Sequence, residues 1–193
     1  MTSRLRLLRP SELDAEQREL YEEITAGPRA AGPQHFALTD TEGRLEGPFN
    51  AMLLSPELGR ALQDLGAAIR YRTRLPARVR ELAILVVAQA WNSAFERDAH
   101  ERVGAAVGLS EAELLALREG RDPELTDPGE HAAWEFTRAL VGRDGVLDEA
   151  QYDAARTALG EPVLFELSTL VGYYSTLALQ LRLFTVPDRS AYA

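Results

Sequence analysis

The signal that most constrains this chain is helix punctuation, repeated from one end to the other with almost no strand pattern between. Asp14 stands three residues before Gln17, Ser110 before Glu113 and Asp148 before Gln151. That spacing is the capping box, in which two side chains satisfy the otherwise unpaired backbone N–H groups at a helix start. Ser55-Pro56 and Asp127-Pro128 add a capping residue followed by proline at the first helical position. Proline is tolerated there because its missing N–H would have had no partner anyway. Stops fall at Gly27-Pro28, Gly108, Gly120 and Gly160, since glycine adopts the left-handed turn that ends a helix. The predicted fold is an all-α bundle of about seven helices with short connections, a single domain over residues 1–193. Residues 28–47 form the long loop, with a turn at Asp40-Thr41-Glu42-Gly43.

The segment from Pro76 to Trp91 is the most apolar of these helices. Val79, Leu82, Ala83, Val86 and Ala90 share one helical face, and Ile84, Leu85, Val87 and Ala88 cover much of the rest. A helix apolar on most sides is central to its domain. Asn92-Ser93 breaks the pattern, and a second helix restarts there and runs to about Val107.

Composition removes several chemistries. The chain has no cysteine, and every basic residue is arginine. Disulfides, thiol peroxidase chemistry, thiolate metal sites and lysine Schiff bases are therefore excluded. The net charge of −9 repels nucleic acid and anionic membrane surfaces. The longest fully apolar run, Leu82 to Ala88, is far too short to span a bilayer. The N-terminus lacks a signal-peptide core, so a cytoplasmic protein is expected. No glycine-rich phosphate motif and no Gly-x-Ser-x-Gly elbow appears, so neither a nucleotide cofactor nor a serine hydrolase is expected.

Proton-transfer candidates are then His, Asp, Glu and Tyr. Three histidines exist, His35, His100 and His131. Glu96 precedes His100 by four residues on one helix face, within hydrogen-bonding reach. Glu81 lies among Leu82, Ile84 and Leu85, where burial would raise its pKa and suit it to carrying protons. If the two helices fold antiparallel across Asn92-Ser93, Glu81 faces His100 and a Glu–His–Glu relay results. The same Glu-x-x-x-His spacing also serves as an exposed ion pair, and alone it does not choose between the two. A metal site lacks a third ligand, and none is expected. His35 in the loop and His131 at a helix start read as surface or capping residues. The cluster Arg70, Arg72, Arg74, Arg78 and Arg80 offers a clamp for a substrate carboxylate, with Arg72 the candidate, or else a set of salt bridges at an interhelical turn.

The run Arg80-Glu81-Leu82-x-Ile84-Leu85-x-x-Ala88, the segment Phe95-Glu96-x-x-x-His100 and the close Gly108-Leu109-Ser110 resemble the core of the carboxymuconolactone decarboxylase family, which includes the alkylhydroperoxidase D-like proteins. The resemblance is strongest over 48–115. It is softer through the C-terminal helices, 127–186, where Leu170-Val171-Gly172-Tyr173-Tyr174 is similar to the family's last helix. Redox members carry a Cys-x-x-Cys pair, a histidine four residues after it and a glutamate twelve before it. Glu81 and His100 match the last two, while Ser93 and Glu96 stand where the cysteines would be. The resemblance implies a compact AhpD-like bundle and self-association, as a trimer or hexamer with a dimer the smaller alternative. It also implies a cofactor-free site for a small-molecule substrate, with Glu81, Glu96 and His100 catalytic and Ser93, Asn50, Arg72 and Tyr173 binding substrate. The reaction expected is decarboxylation, elimination or isomerisation of a small organic acid or lactone. The alternative is a non-catalytic oligomeric binding protein that lost the peroxidase cysteines.

Overall fold

The computed structural model describes residues 4–27, 37–142 and 145–184. His35 lies outside them. Among the described residues the fold is all-α, and the only strand-like pairing is an isolated antiparallel bridge between Thr39 and Leu45. The helices are α1 (Ala15–Ala26), α2 (Phe49–Met52), α3 (Pro56–Tyr71), α4 (Ala77–Ala90), α5 (Ala94–Ala106), α6 (Glu111–Glu119), α7 (Pro128–Leu140), α8 (Glu149–Leu159) and α9 (Glu161–Phe184). Among the described residues they are nine: α5 restarts after Asn92-Ser93 as expected, and α2 is a single short turn without a cap signal. No described helix is long and apolar enough to cross a membrane.

The chain forms two compact units, Thr73–Ala178 and a second one made of Met1–Arg72 with Leu179–Ala193. In the second, Leu20 and Ile24 of α1 are fully buried. A methyl group on Gly59 of α3 would stand 2.8 Å from Leu20 and 2.4 Å from the carbonyl oxygen of Met52, so only glycine permits this approach. The expected turn forms, with Gly43 N–H donating to the Asp40 carbonyl at 3.1 Å and Gly43 at φ 74°. Asn50, on α2, is buried. Its amide donates to the Arg6 carbonyl at 3.1 Å and accepts from Leu8 N–H at 3.4 Å, clipping the N-terminal segment in place.

In Thr73–Ala178 the central helix is α4, as its all-round apolar character predicts. Leu82, Ala83, Ile84, Val87 and Ala88 have no exposed surface, although Ala90, at the helix end, is exposed. Leu82, Leu85 and Val86 pack with Leu109, Leu117, Leu125 and Trp134 into one apolar cluster. Burying a side chain of this size contributes about 1.5–3 kcal/mol. Arg78, at the first turn of α4, ties this core together. Its Nε donates to both carboxylate oxygens of Glu130 at 2.7 and 2.9 Å. Its other nitrogens donate to Glu113 and to the Gly108 carbonyl. Part of the arginine cluster is thus an intrachain brace.

Candidate active site

The turn between α4 and α5 sets the site. Asn92 adopts the left-handed conformation, φ 50°, which asparagine tolerates better than most residues. Asn92 N–H donates to the Gln89 carbonyl at 3.0 Å and Ser93 N–H to the Ala88 carbonyl at 2.8 Å. This pair of bonds is the Schellman motif, and it closes α4 within two residues of the start of α5. The two helices then pack side by side, bringing Glu81 of α4 to His100 of α5.

Glu81 is fully buried and His100 nearly so. His100 Nδ1 lies 2.6 Å from Glu81 Oε2. The other oxygen of Glu81 accepts from Arg80 Nε at 3.3 Å. With Glu81 as a carboxylate, which can only accept, Nδ1 is the donor of this bond. The edge of Tyr174 from α9 packs on the His100 ring, with centroids 5.2 Å apart at 88°. Tyr173 packs on Tyr174 in the same manner, 5.2 Å and 87°.

Glu96 behaves differently from the expectation. It is buried, yet neither carboxyl oxygen has a hydrogen-bond partner among the described residues. The expected Glu96–His100 bond is not made, because His100 presents Nδ1 to Glu81 instead. Burial pushes the Glu96 carboxyl up to about 8, and only the nearby Ser93 hydroxyl pulls in the other direction. Near neutral pH Glu96 is therefore a neutral acid. Ser93, buried at the N-cap of α5, also leaves its hydroxyl without a hydrogen-bond partner of acceptable geometry.

The structure thus brings Glu81, His100 and Tyr174 into one contact chain, with Tyr173 behind Tyr174. Ser93 and Glu96 form a second buried pair at the head of α5. Asn50 and Arg72 belong to the other unit. Asn50 is engaged with the N-terminal segment, and Arg72 is exposed where α3 ends. Arg80 and Tyr174 hold the two ends of the Glu81–His100 pair; the sequence marks Arg80 only as one of the arginine cluster and Tyr174 only as part of the last helix. His131 pairs with Glu135 at 3.6 Å beside Trp134. Among the described residues no three His, Asp or Glu side chains gather as a metal ion requires. A groove of about 670 Å³ runs between α7 and α8, and none of Glu81, Ser93, Glu96 or His100 lines it.

A buried Glu–His pair on two helices joined by a tight turn is the feature by which the sequence resembled a known family. Residues 56–139 match the sequence profile of the carboxymuconolactone decarboxylase family. Over these residues the chain is similar to that family, its fold is alkylhydroperoxidase D-like, and it carries no cysteine. No curated protein matches the sequence. Solved structures share the fold at low identity. A cysteine-to-alanine variant of the debrominase Bmp8, in complex with 2,3,4-tribromopyrrole, superposes with a TM-score of 0.74 at 15% identity, covering 99% of this chain and 94% of that one. An alkylhydroperoxidase AhpD core protein, peroxidase-related, from Ralstonia eutropha JMP134 superposes with a TM-score of 0.74 at 13% identity, covering 98% of this chain and 94% of that one.

Proposed function

We propose that this protein is a cofactor-free acid–base enzyme that decarboxylates, eliminates from or isomerises a small organic acid or lactone. The observation that carries the reading is the buried Glu81–His100 hydrogen bond of 2.6 Å. A carboxylate behind an imidazole fixes its tautomer and stabilises the imidazolium that forms when it takes a proton. With Nδ1–H held on Glu81, proton exchange runs through Nε2. His100 would take a proton from a carbon next to a carbonyl, and the electron pair would pass into the carbonyl oxygen. His100 would then return the proton to a neighbouring carbon; in a decarboxylation the electron pair of the breaking C–C bond passes into the carbonyl instead, and protonated His100 supplies the proton that replaces carbon dioxide. Glu96 complements the pair as a carboxyl that burial keeps protonated near neutral pH. The whole-family reading carries with it a cytoplasmic homo-oligomer, a trimer or hexamer, which sedimentation would test.

The test is solvent exchange. A panel of carboxylated γ-lactones and 2-oxo acids in deuterium oxide, followed by proton NMR, reports abstraction of the carbon-bound proton without a named substrate. The wild type should accelerate exchange on at least one compound, and His100→Gln should slow it by about a hundredfold or more, as loss of a general base does. Exchange unchanged in His100→Gln removes the assignment. No exchange on any compound favours the second reading, a non-catalytic oligomeric binding protein. The observation behind that reading is the replacement of both cysteine positions by Ser93 and Glu96.

A further inference from the structure

Arg80 and Glu81 are neighbours on α4. Successive residues of a helix point about 100° apart, so their side chains do not meet by default. Arg80 is nevertheless turned onto Glu81. Its Nε donates to Oε1 at 3.3 Å, and its side chain is only 12% exposed. Elsewhere in the arginine cluster, Arg72 and Arg74 stay exposed and Arg78 braces the core. The carboxyl of Glu81 thus lies between two groups of different kinds. Oε1 faces a guanidinium, and Oε2 faces Nδ1 of His100 at 2.6 Å.

We propose that Arg80 is a positioning residue for His100, deciding through Glu81 which imidazole nitrogen is left free to act as the base. Glu81 and His100 can hold one exchangeable proton between them, or two. With one, Glu81 is a carboxylate, the proton sits on Nδ1, and Nε2 keeps a free electron pair. With two, either the imidazole carries both, or a neutral Glu81 donates from Oε2 to Nδ1 while the imidazole keeps its proton on Nε2. Nε2 is blocked in both of these forms. A guanidinium keeps its charge throughout the range in which proteins work. Fixed beside Oε1, it favours the carboxylate and opposes the second proton. It also offers no acceptor to an acid proton on Oε1. This role rests on the acid–base reading of the pair and adds what holds the pair in its working protonation state.

The other titratable and charged groups on the surrounding helices are differently engaged. Glu96, one turn before His100 on α5, is kept neutral by burial near neutral pH. Arg97, also on α5, is partly exposed, and its backbone N–H is bound to the Ser93 carbonyl. Asp98 is bound to Arg102, and Glu101 to Arg118 of α6. Glu113 of α6 and Glu130 of α7 are bound to Arg78. Tyr174 presents a ring edge from α9, with Tyr173 behind it. Arg97 supplies a control, a second cation near His100 that does not touch the Glu81 carboxyl.

Nitrogen NMR of the intact protein, isotopically labelled at histidine, reads this directly, because protonated and bare ring nitrogens differ in shift and in coupling to the ring protons. His100→Gln identifies which signals are those of His100. Near pH 8 the wild type should show Nδ1 protonated and Nε2 bare. Arg80→Met should show Nε2 protonated and Nδ1 bare at that pH, and should reach the wild-type pattern about one to three pH units higher. Arg80→Gln keeps a donor without the charge and should follow Arg80→Met, which covers a methionine variant that fails to fold. Arg80→Lys restores the charge and should restore the wild-type pattern. Arg97→Met should leave that pattern unchanged. A wild type with Nε2 protonated near pH 8 overturns the proposal. So does a wild-type pattern in the Arg80 variants, or an equal change in Arg97→Met. The expected tautomers without proton exchange on any compound would leave the role of Arg80 standing and remove the acid–base reading. Exchange that needs His100, with tautomers indifferent to Arg80, would do the converse.

Discussion

His100 and Glu81 are 19 residues apart in sequence and joined by one hydrogen bond of 2.6 Å, made in the interior of the protein with the carboxylate wholly screened from water. Removing one partner strands the other. His100→Ala should therefore lower unfolding free energy by about 3 kcal/mol in urea denaturation, since a buried carboxylate would lose its 2.6 Å partner. The double replacement Glu81→Leu with His100→Leu should recover most of that loss. If the single variant is as stable as the wild type, the pair is not ionic in the folded protein.

The Glu96 proton gives stability a defined dependence on pH. Unfolded, its carboxyl ionises near the ordinary value of 4.5, and folded, near 8. The folded state holds the proton more tightly, so the associated stability is complete below about 4.5, declines through this window and levels off above about 8. The slope should approach about 1 kcal/mol per pH unit. Thermal melts of wild type and Glu96→Gln across pH 5–9 should diverge in that sense, with the variant lacking this decline.

The two serines that head helices should respond oppositely to truncation. Ser110 accepts from Glu113 N–H at 3.2 Å, whereas Ser93 caps nothing. Ser110→Ala should cost about 1 kcal/mol. Ser93→Ala should cost nothing or be slightly stabilising, because it deletes a buried hydroxyl without a partner. Equal losses in chemical denaturation would mean that Ser93 caps its helix as Ser110 does.

Arg78 cannot be replaced by its like-charged relative. Its fork spans Glu130, Glu113 and a backbone carbonyl from three different parts of the chain. Lysine supplies the charge without the planar geometry. Arg78→Lys should lose about 2 kcal/mol, much of what Arg78→Met loses, when both are compared in urea.

Asn92 should show the signature of its left-handed backbone. Asn92→Gly should be neutral or gain a few tenths of a kcal/mol, and Asn92→Val should lose about 2 kcal/mol through strain at positive φ. A valine variant as stable as wild type would mean that the turn relaxes into another form.

Much of this architecture is legible in the residues because it is local. Capping boxes, helix-opening prolines and terminating glycines act within four residues of themselves, and Asp14, Ser110, Asp127, Asp148 and Gly120 all do what their spacing dictates. The all-round apolar character of α4 likewise needs no knowledge of its neighbours. The site was legible only in part. Spacing puts Glu96 and His100 on one face, but which carboxylate the histidine chooses depends on how α4 packs against α5, and Glu81 wins. Asn50 carries no mark that its amide will be spent on Arg6 and Leu8, more than forty residues away. Nor does Ser93-x-x-Glu96 differ on paper from Ser110-x-x-Glu113. Burial separates them, and burial is a property of the whole fold.

The turn at Asn92 also bears on how the molecule ages. An asparagine followed by serine can lose its side-chain amide when the next residue's backbone nitrogen attacks it and closes a five-membered imide ring. Here that nitrogen belongs to Ser93, and its N–H is committed to the Ala88 carbonyl at 2.8 Å while Asn92 is held at φ 50°. The folded turn holds that nitrogen in a hydrogen bond, which must open before it can attack. Conversion of Asn92 to aspartate or isoaspartate on storage would therefore record how often α4 and α5 come undone, a slow chemical clock placed beside the candidate site.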